Sequence, residues 1–329
     1  MHHLSTDHDL DSATPVFLAP LAGITDLPFR TLVQRFGASG VVSEMVASQE
    51  VVRARPLARA RAELGLSVTS TAVQLAGRDP HWMAEAAKLV QGQGAQAIDI
   101  NMGCPAKKVT NGLSGSALMR EPAHALRLIE AVVGAVEVPI TLKMRLGWDD
   151  QNLNAPQIAR AAEAVGIKRI VVHGRTRCQF YKGSADWAAI RPVVEAVKVP
   201  VIANGDICGP ADAKAALQAS GAHGVMIGRG AQGRPWLLQQ ILAELDGAPP
   251  PPDPTPAEVV DLMSAHYEDM LEFYGVPLGL KCARKHLGWY MDTLRTPPAL
   301  RRRILVESTP AGVLRGIAAL RDAPSEVAA

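Results

Sequence analysis

No stretch of the 329-residue chain is apolar for anything near the ~20 residues a membrane-spanning helix needs, so no membrane attachment is expected. The four cysteines, Cys104, Cys178, Cys208 and Cys282, lie far apart and form no Cys-x-x-Cys pair. That argues against a zinc finger or a disulfide framework; no metal is expected, and a reducing cytoplasm fits. Aromatic residues make up only 4% of the chain, and the formal charge is +2. Bulk charge therefore does not point to nucleic acid, and any basic surface must be local. The first fifteen residues, MHHLSTDHDLDSATP, are polar and acidic with no apolar core. Neither a signal peptide nor a transit peptide is expected there, and residues 1–15 read as a disordered lead-in.

What the chain does contain is a repeated unit. Eight β-type runs begin at Val16 (VFLAP), Gly40 (GVVSEM), Thr71 (TAVQLAG), Ala97 (AIDINMG), Ile140 (ITLKMR), Arg169 (RIVVHGR), Val201 (VIANGD) and Gly224 (GVMIGR). They recur about every thirty residues, as parallel strands with helical crossovers require. The intervening segments show helical spacing of apolar residues and clear start signals: Asp79-Pro80, Glu121-Pro122, Gly209-Pro210 and Arg234-Pro235. Eight βα units predict a closed (β/α)8 barrel over residues 16–247. A doubly wound open sheet is the alternative, but the first turn, Pro20-Leu21-Ala22-Gly23, lacks its glycine fingerprint. Residues 248–256 (APPPPDPTP) form a proline-rich linker expected to be extended and stiff. Only helical patterns follow over 257–322, before a short tail at 323–329 expected to fray.

In a (β/α)8 barrel, chemistry sits at the C-terminal ends of the strands. Those ends carry Pro20-Leu21-Ala22, Glu44, Gln74, Asn101 with Cys104, Lys143 with Arg145, His173 with Arg175, Asn204-Gly205-Asp206 and Gly228-Arg229. Singly, each is as readily a satisfied loop residue; together they describe a site. The last two strand ends are glycine-rich, with Arg229 adding a fork of donors, at the usual phosphate position of this fold. Lys143 places positive charge beside an electron-rich ring. A phosphorylated ring cofactor fits these parts, and so does a sugar-phosphate substrate.

The motifs APLAGITDLPFR, VQLAG, DINMGCPAKKV, GSALM, LKMRLGW, VVHGRTR, VIANGDI and MIGRGAQGRPW resemble the tRNA-dihydrouridine synthases, nearest to the bacterial B-type subgroup. The resemblance runs from about Val16 to Trp289 and departs from the commonest form at Leu21, where methionine is usual. It implies FMN as cofactor, NADPH (or NADH) as hydride source and tRNA as partner, in a cytoplasmic protein expected to be a monomer. By matching motifs it implies Pro20, Leu21, Ala22, Gln74, Asn101, Lys143, His173, Asn204, Gly205, Asp206, Gly228 and Arg229 around the flavin. Cys104 matches the proton donor in reduction of a uridine 5,6 double bond, with a lean towards position 17 of the D-loop. An ordinary thiol holds its proton at working pH, as a general acid must. The stretch Gly112–Ser116 reads as a flexible segment able to close over a bound base.

Candidate tRNA contacts are Lys107, Lys108, Arg175, Arg177, Arg284, Lys285, Arg301 and Arg302. Lys281 to Arg303 holds seven basic residues against one acid, Asp292, a patch suited to phosphates. A solvated helical face is the alternative for that patch; Trp289 and Tyr290 are candidates to stack on a base, with core packing as the alternative. Two other functions share these parts: a dihydroorotate- or dihydropyrimidine-type dehydrogenase acting on a free base, and a non-catalytic flavin- or RNA-binding regulator.

Overall fold

The computed structural model describes residues 14–55, 62–64 and 71–321; the expected tail at 323–329 and most of the lead-in lie outside them. Nine parallel strands occur among the described residues: β1 Val16–Leu18, β2 Gly40–Val42, β3 Val46–Ala47, β4 Thr71–Ala76, β5 Ala97–Met102, β6 Ile140–Arg145, β7 Arg169–His173, β8 Val201–Asn204 and β9 Gly224–Ile227. β1 pairs with β2, each strand from β3 to β8 pairs with the next in chain order, β9 pairs back with β1, and β2 pairs with β4, so the sheet closes. β3 is a continuation of β2 after a break at Ser43–Met45, and it pairs with the far end of β4. The eight expected strands thus form a (β/α)8 barrel, with GVVSEM broken where Glu44 turns inward.

Strand alternation sorts the side chains. Ile140, Leu142 and Met144 of β6 join the layer between strands and helices, as do Ile98, Ile100 and Met102 of β5. Thr141, Lys143 and Arg145 take the other face, as do Asp99 and Asn101. The barrel interior is filled by Phe17, Ala19, Val42, Ala72, Val171, Ile202 and Met226. Apolar filling low in the barrel leaves the polar residues stacked above it, towards the strand C-termini.

The helices start where the sequence signals them. Asp79 caps Pro80–Gly92 by accepting from the Trp82 amide at 3.2 Å. Thr255 caps Pro256–Tyr274 in a reciprocal box with Glu258. The helix expected from Arg234-Pro235 begins slightly later, at Leu237–Leu245. Segment 248–255 has no regular structure and is tied back to that helix, since Asp253 accepts from Trp236 Nε1 and Gln240 Nε2 at 3.0 Å each. Four helices follow, Pro256–Tyr274, Val276–Thr293, Pro298–Val306 and Pro310–Ala318, around their own core of Val260, Met263, Tyr267, Leu287, Tyr290 and Ile317. Tyr290, considered above for base stacking, belongs to this core. The bundle leans on the barrel's first loop, where the Tyr274 hydroxyl donates to Asp26 Oδ2 at 2.9 Å.

Candidate active site at the barrel mouth

Cys104 sits just past β5, half-buried, in a turn held from three directions. The Asn101 side-chain oxygen accepts from the Cys104 and Gly103 amides at 3.0 and 3.3 Å. Arg145 Nε, from β6, donates to the Gly103 carbonyl at 2.8 Å. Ser116 donates to the Cys104 carbonyl through both its amide (3.1 Å) and its hydroxyl (2.9 Å). Of the segment expected to flex, Gly115 and Ser116 are therefore fixed: they open a buried 3-10 turn, Gly115–Arg120. A Cβ on Gly115 would lie 2.9 Å from that same carbonyl. Of the stretch Gly112–Ser116, docking holds Gly115 and Ser116, while Leu113 stands out at the surface.

Behind the turn runs a buried relay. Asn101 Nδ2 donates to Gln74 Oε1 at 2.7 Å, Gln74 Nε2 donates to Asp99 Oδ2 at 2.7 Å, and Thr141 donates to Asp99 Oδ1 at 2.5 Å. Burial raises the Asp99 pKa, against the Thr141 and Gln74 hydrogen bonds and the charge of Lys143. Asp99 was no site candidate from the sequence, although an acid inside the apolar run AIDINM was its signal. Asn101 thus spends most of its hydrogen-bonding capacity here, and Gln74 links it to Asp99.

Lys143 and His173 line the same mouth. Lys143 Nζ donates to Asn204 Oδ1 at 2.8 Å, and Asn204 Nδ2 to the Met226 carbonyl at 2.7 Å. Burial pushes the Lys143 ammonium down to about 8, with Asp99 opposing. Burial also drives the His173 imidazole well below its usual range, reinforced by Lys143, Arg145, Arg175 and Arg229. His173 is therefore neutral at pH 7, able to donate or accept but not to add charge.

Across the mouth, Asp206 accepts from two guanidiniums. Arg175 grips both its oxygens, and Arg229 Nη2 donates to Oδ1 at 2.8 Å; the Ala185 amide adds a bond at 2.9 Å. Burial works against the Asp206 carboxylate, but these bonds and charges outweigh it and hold its pKa below the usual range. Arg175 is 1% exposed and also donates to the Lys182 and Gly183 carbonyls. As a surface contact for nucleic acid it is corrected: its guanidinium is consumed inside the protein, orienting Asp206. Gly205 requires its lack of a side chain, since at φ 119° a Cβ would meet Ala185 Cβ at 2.7 Å and His173 Cδ2 at 2.8 Å. Tyr181, not foreseen, lies beneath two cations, Arg145 at 5.5 Å and Arg229 at 5.3 Å from its ring.

Pro20, Leu21 and Ala22 follow β1, with Ala22 exposed, and Gly228 follows β9. Of the other cationic candidates, Lys107 and Lys108 are exposed on the turn Lys107–Thr110 just beyond Cys104. Arg177 stacks on Trp148 at 4.7 Å, with Arg120 at 4.8 Å from the same ring. Arg284 and Arg302 are exposed. Arg301 is engaged by Asp292 at 2.7 Å and by the Gly288 carbonyl at 2.5 Å. Lys285 reaches the barrel: a Cβ on Gly23, in the loop after β1, would lie 3.0 Å from its Nζ.

The family profile described as dihydrouridine synthase (Dus) matches residues 17–323. The chain belongs to the dihydrouridine synthase family. A probable tRNA-dihydrouridine synthase of Rhodobacter capsulatus is 61% identical over 313 residues, 95% of each chain. A tRNA-dihydrouridine synthase B of Vibrio vulnificus is 46% identical over 287 residues, 87% of this chain and 89% of that one. A solved histamine dehydrogenase of Rhizobium shares the fold at TM-score 0.51 and 12% identity, covering 69% of this chain and 45% of that chain. The dihydrouridine synthase scaffold here sets its polar residues at the strand C-termini. Among the described residues, no helix is long and apolar enough to cross a membrane.

Proposed function

We propose that this dihydrouridine synthase reduces the 5,6 double bond of a D-loop uridine in tRNA, with position 17 preferred, using FMN and NADPH. The choice of position rests on the resemblance of the motifs to the B-type subgroup. The donor set fits the flavin. Lys143 spends one of its three N–H donors on Asn204, leaving two for the electron-rich edge of a ring. Arg229 is 53% exposed at the end of β9, and Asp206 facing two guanidiniums leaves net positive charge for a phosphate. Asp206 itself acts through Arg229, since a carboxylate repels a phosphate oxygen. Pro20, Leu21, Ala22 and Gly228 would complete the cradle, with Gln74 and Asn101 bracing it.

When bound, FMN supplies the hydride that pyrimidine C6 receives, drawn from NADPH. The protein's own part is the proton. The Cys104 thiol gives its hydrogen to C5 and recovers one from solvent, so one hydride and one proton saturate the bond. Neutral His173 orients a uracil carbonyl. The nucleotide must leave its stack to reach the mouth, and Lys107, Lys108, Arg177, Arg284, Lys285 and Arg302 are the cations that would hold the surrounding phosphates. Such a protein works in the cytoplasm, where tRNA is modified.

The observation that carries this reading is the Cys104 turn, braced by Asn101, Arg145 and Ser116 beside Lys143 and His173 in a chain of this family. Cys104→Ala tests it. The variant should stay yellow with bound flavin and lose roughly 10²–10⁴ in dihydrouridine formation on tRNA; unchanged turnover would remove Cys104 from the mechanism. Reduction of free uracil at least as fast as tRNA would favour a dehydrogenase of free bases instead.

A further inference from the structure

Two imidazoles are buried where the helical bundle meets the barrel, and neither serves the mouth. His266 lies on helix Pro256–Tyr274 and His286 on Val276–Thr293, at 1% and 2% exposure. Asp26, 4% exposed, caps the barrel helix Leu27–Arg35. Neither ring nitrogen of His286 has a hydrogen-bond partner, and neither does His266 Nε2. An unpaired buried polar group costs about 1–3 kcal/mol, so three orphan nitrogens in one place call for an occupant. The His266 and His286 rings stand 4.7 Å apart at 74°, and Phe29 flanks both at 5.7 and 5.0 Å.

One ligand atom from each of Asp26, His266 and His286 lies within 4.8 Å of the other two. Three such atoms are at most about 2.8 Å from a common centre, against ~2.0–2.2 Å for zinc bonded to imidazole or carboxylate. A closure of roughly 0.7 Å per ligand, small side-chain rotations, completes a coordination triangle. With each imidazole turning its lone pair inward, three lone pairs meet at one point, and a divalent cation accepts all three. His266 Nδ1 is 3.0 Å from the Tyr290 hydroxyl. Donation from that N–H to Tyr290 fixes the tautomer whose Nε2 lone pair faces the cation, as outer partners of metal-bound histidines do. The Asp26 oxygens accept from the Phe29 amide and the Tyr274 hydroxyl and still have lone pairs to give. Arg30 and Lys285 are the cations that face this cluster, and Glu44 the second carboxylate.

We propose that Asp26, His266 and His286 bind a divalent cation of the zinc class, which pins the helical bundle to the first loop of the barrel. Two imidazoles and one carboxylate are a donor set that suits Zn²⁺. The cysteine pattern gave no reason to expect a metal, and this site uses no cysteine. Because the ligands come from three separate helices, the cation couples folding of the bundle to its docking.

The test is the zinc content of the purified full-length chain, measured by plasma mass spectrometry before and after refolding with ZnCl₂ and dialysis. About one zinc per chain is expected in the wild type, falling at least tenfold in His266→Gln and in His286→Gln. Cys282→Ser, on the same helix as His286, should keep it. Independently of any variant, wild-type protein refolded with Zn²⁺ should unfold at a higher denaturant midpoint than protein refolded with a chelator. Equal zinc in wild type and both histidine variants would overturn the proposal. So would zinc lost only in Cys282→Ser, or wild-type protein that neither retains zinc nor gains stability from it.

Discussion

Replacing Lys143 by Met should stabilise the flavin-free fold while abolishing its use. Lys143 is 9% exposed, and burial brings its ammonium from 10.5 down to about 8. At about 1.36 kcal/mol per pKa unit, holding that charge costs the flavin-free protein about 3 kcal/mol at neutral pH. The unfolded chain binds the proton more tightly than the folded one between about 8 and 10.5. Stability of the wild type therefore rises with pH across that window, with the full cost present below about 8 and relieved above 10.5. Methionine has a similar stem and no charge, but it leaves Asn204 Oδ1 without its donor, a loss of about 1 kcal/mol. The net gain should be about 2 kcal/mol at pH 7. Urea unfolding of both flavin-free proteins at pH 7 and about pH 9.5 reads this directly. Other buried groups titrate in the same range, and they cancel in the difference between the two proteins. The variant should be more stable at pH 7, with the advantage shrinking at the higher pH. A less stable variant, or a difference that does not change with pH, would refute the account of Lys143 as a charge held in waiting for a partner.

Asp206→Ala should strand the Arg175 guanidinium, 1% exposed, and cost about 3–5 kcal/mol in chemical denaturation; a loss under 1 kcal/mol would mean that the Arg175 backbone contacts suffice. Gly205→Ala should destabilise by at least about 1–3 kcal/mol, since φ 119° and contacts of 2.7 and 2.8 Å both oppose a Cβ; a neutral outcome would show that the loop after β8 relaxes freely. Arg302→Glu should weaken tRNA binding and flatten its salt dependence, with the rate of NADPH oxidation unaltered; parallel loss of both would join binding and redox chemistry at one place. Asn101→Ala removes the acceptor of the Gly103 and Cys104 amides, so it should lower turnover at least tenfold while flavin content holds; loss of flavin instead would return Asn101 to the cofactor.

The barrel was legible because strand period and unit length are local properties. ITLKMR and AIDINM alternate, so one face of each could be assigned to the helices and the other to the interior before any contact was known. The break at Ser43–Met45 was not legible, because GVVSEM alternates well enough to read as one strand. The reach of Lys285 to Gly23 joins residues some 260 positions apart in the chain, and nothing local announces it. Asn101 and Gln74 show a subtler gap. Motif matching brought both to the mouth, but their hydrogen-bond partners, 25 and 27 residues away, are what turn them towards Asp99 and the Cys104 turn. Arg175 was misjudged because a cation in a loop reads as solvated until its acceptors are seen.

A backbone turn held by a strand side chain, an arginine and a serine has little freedom to hunt for a target. All the travelling is left to the nucleic acid. On the proposed mechanism, the only thing that turn must regain between one turnover and the next is a hydrogen nucleus from water.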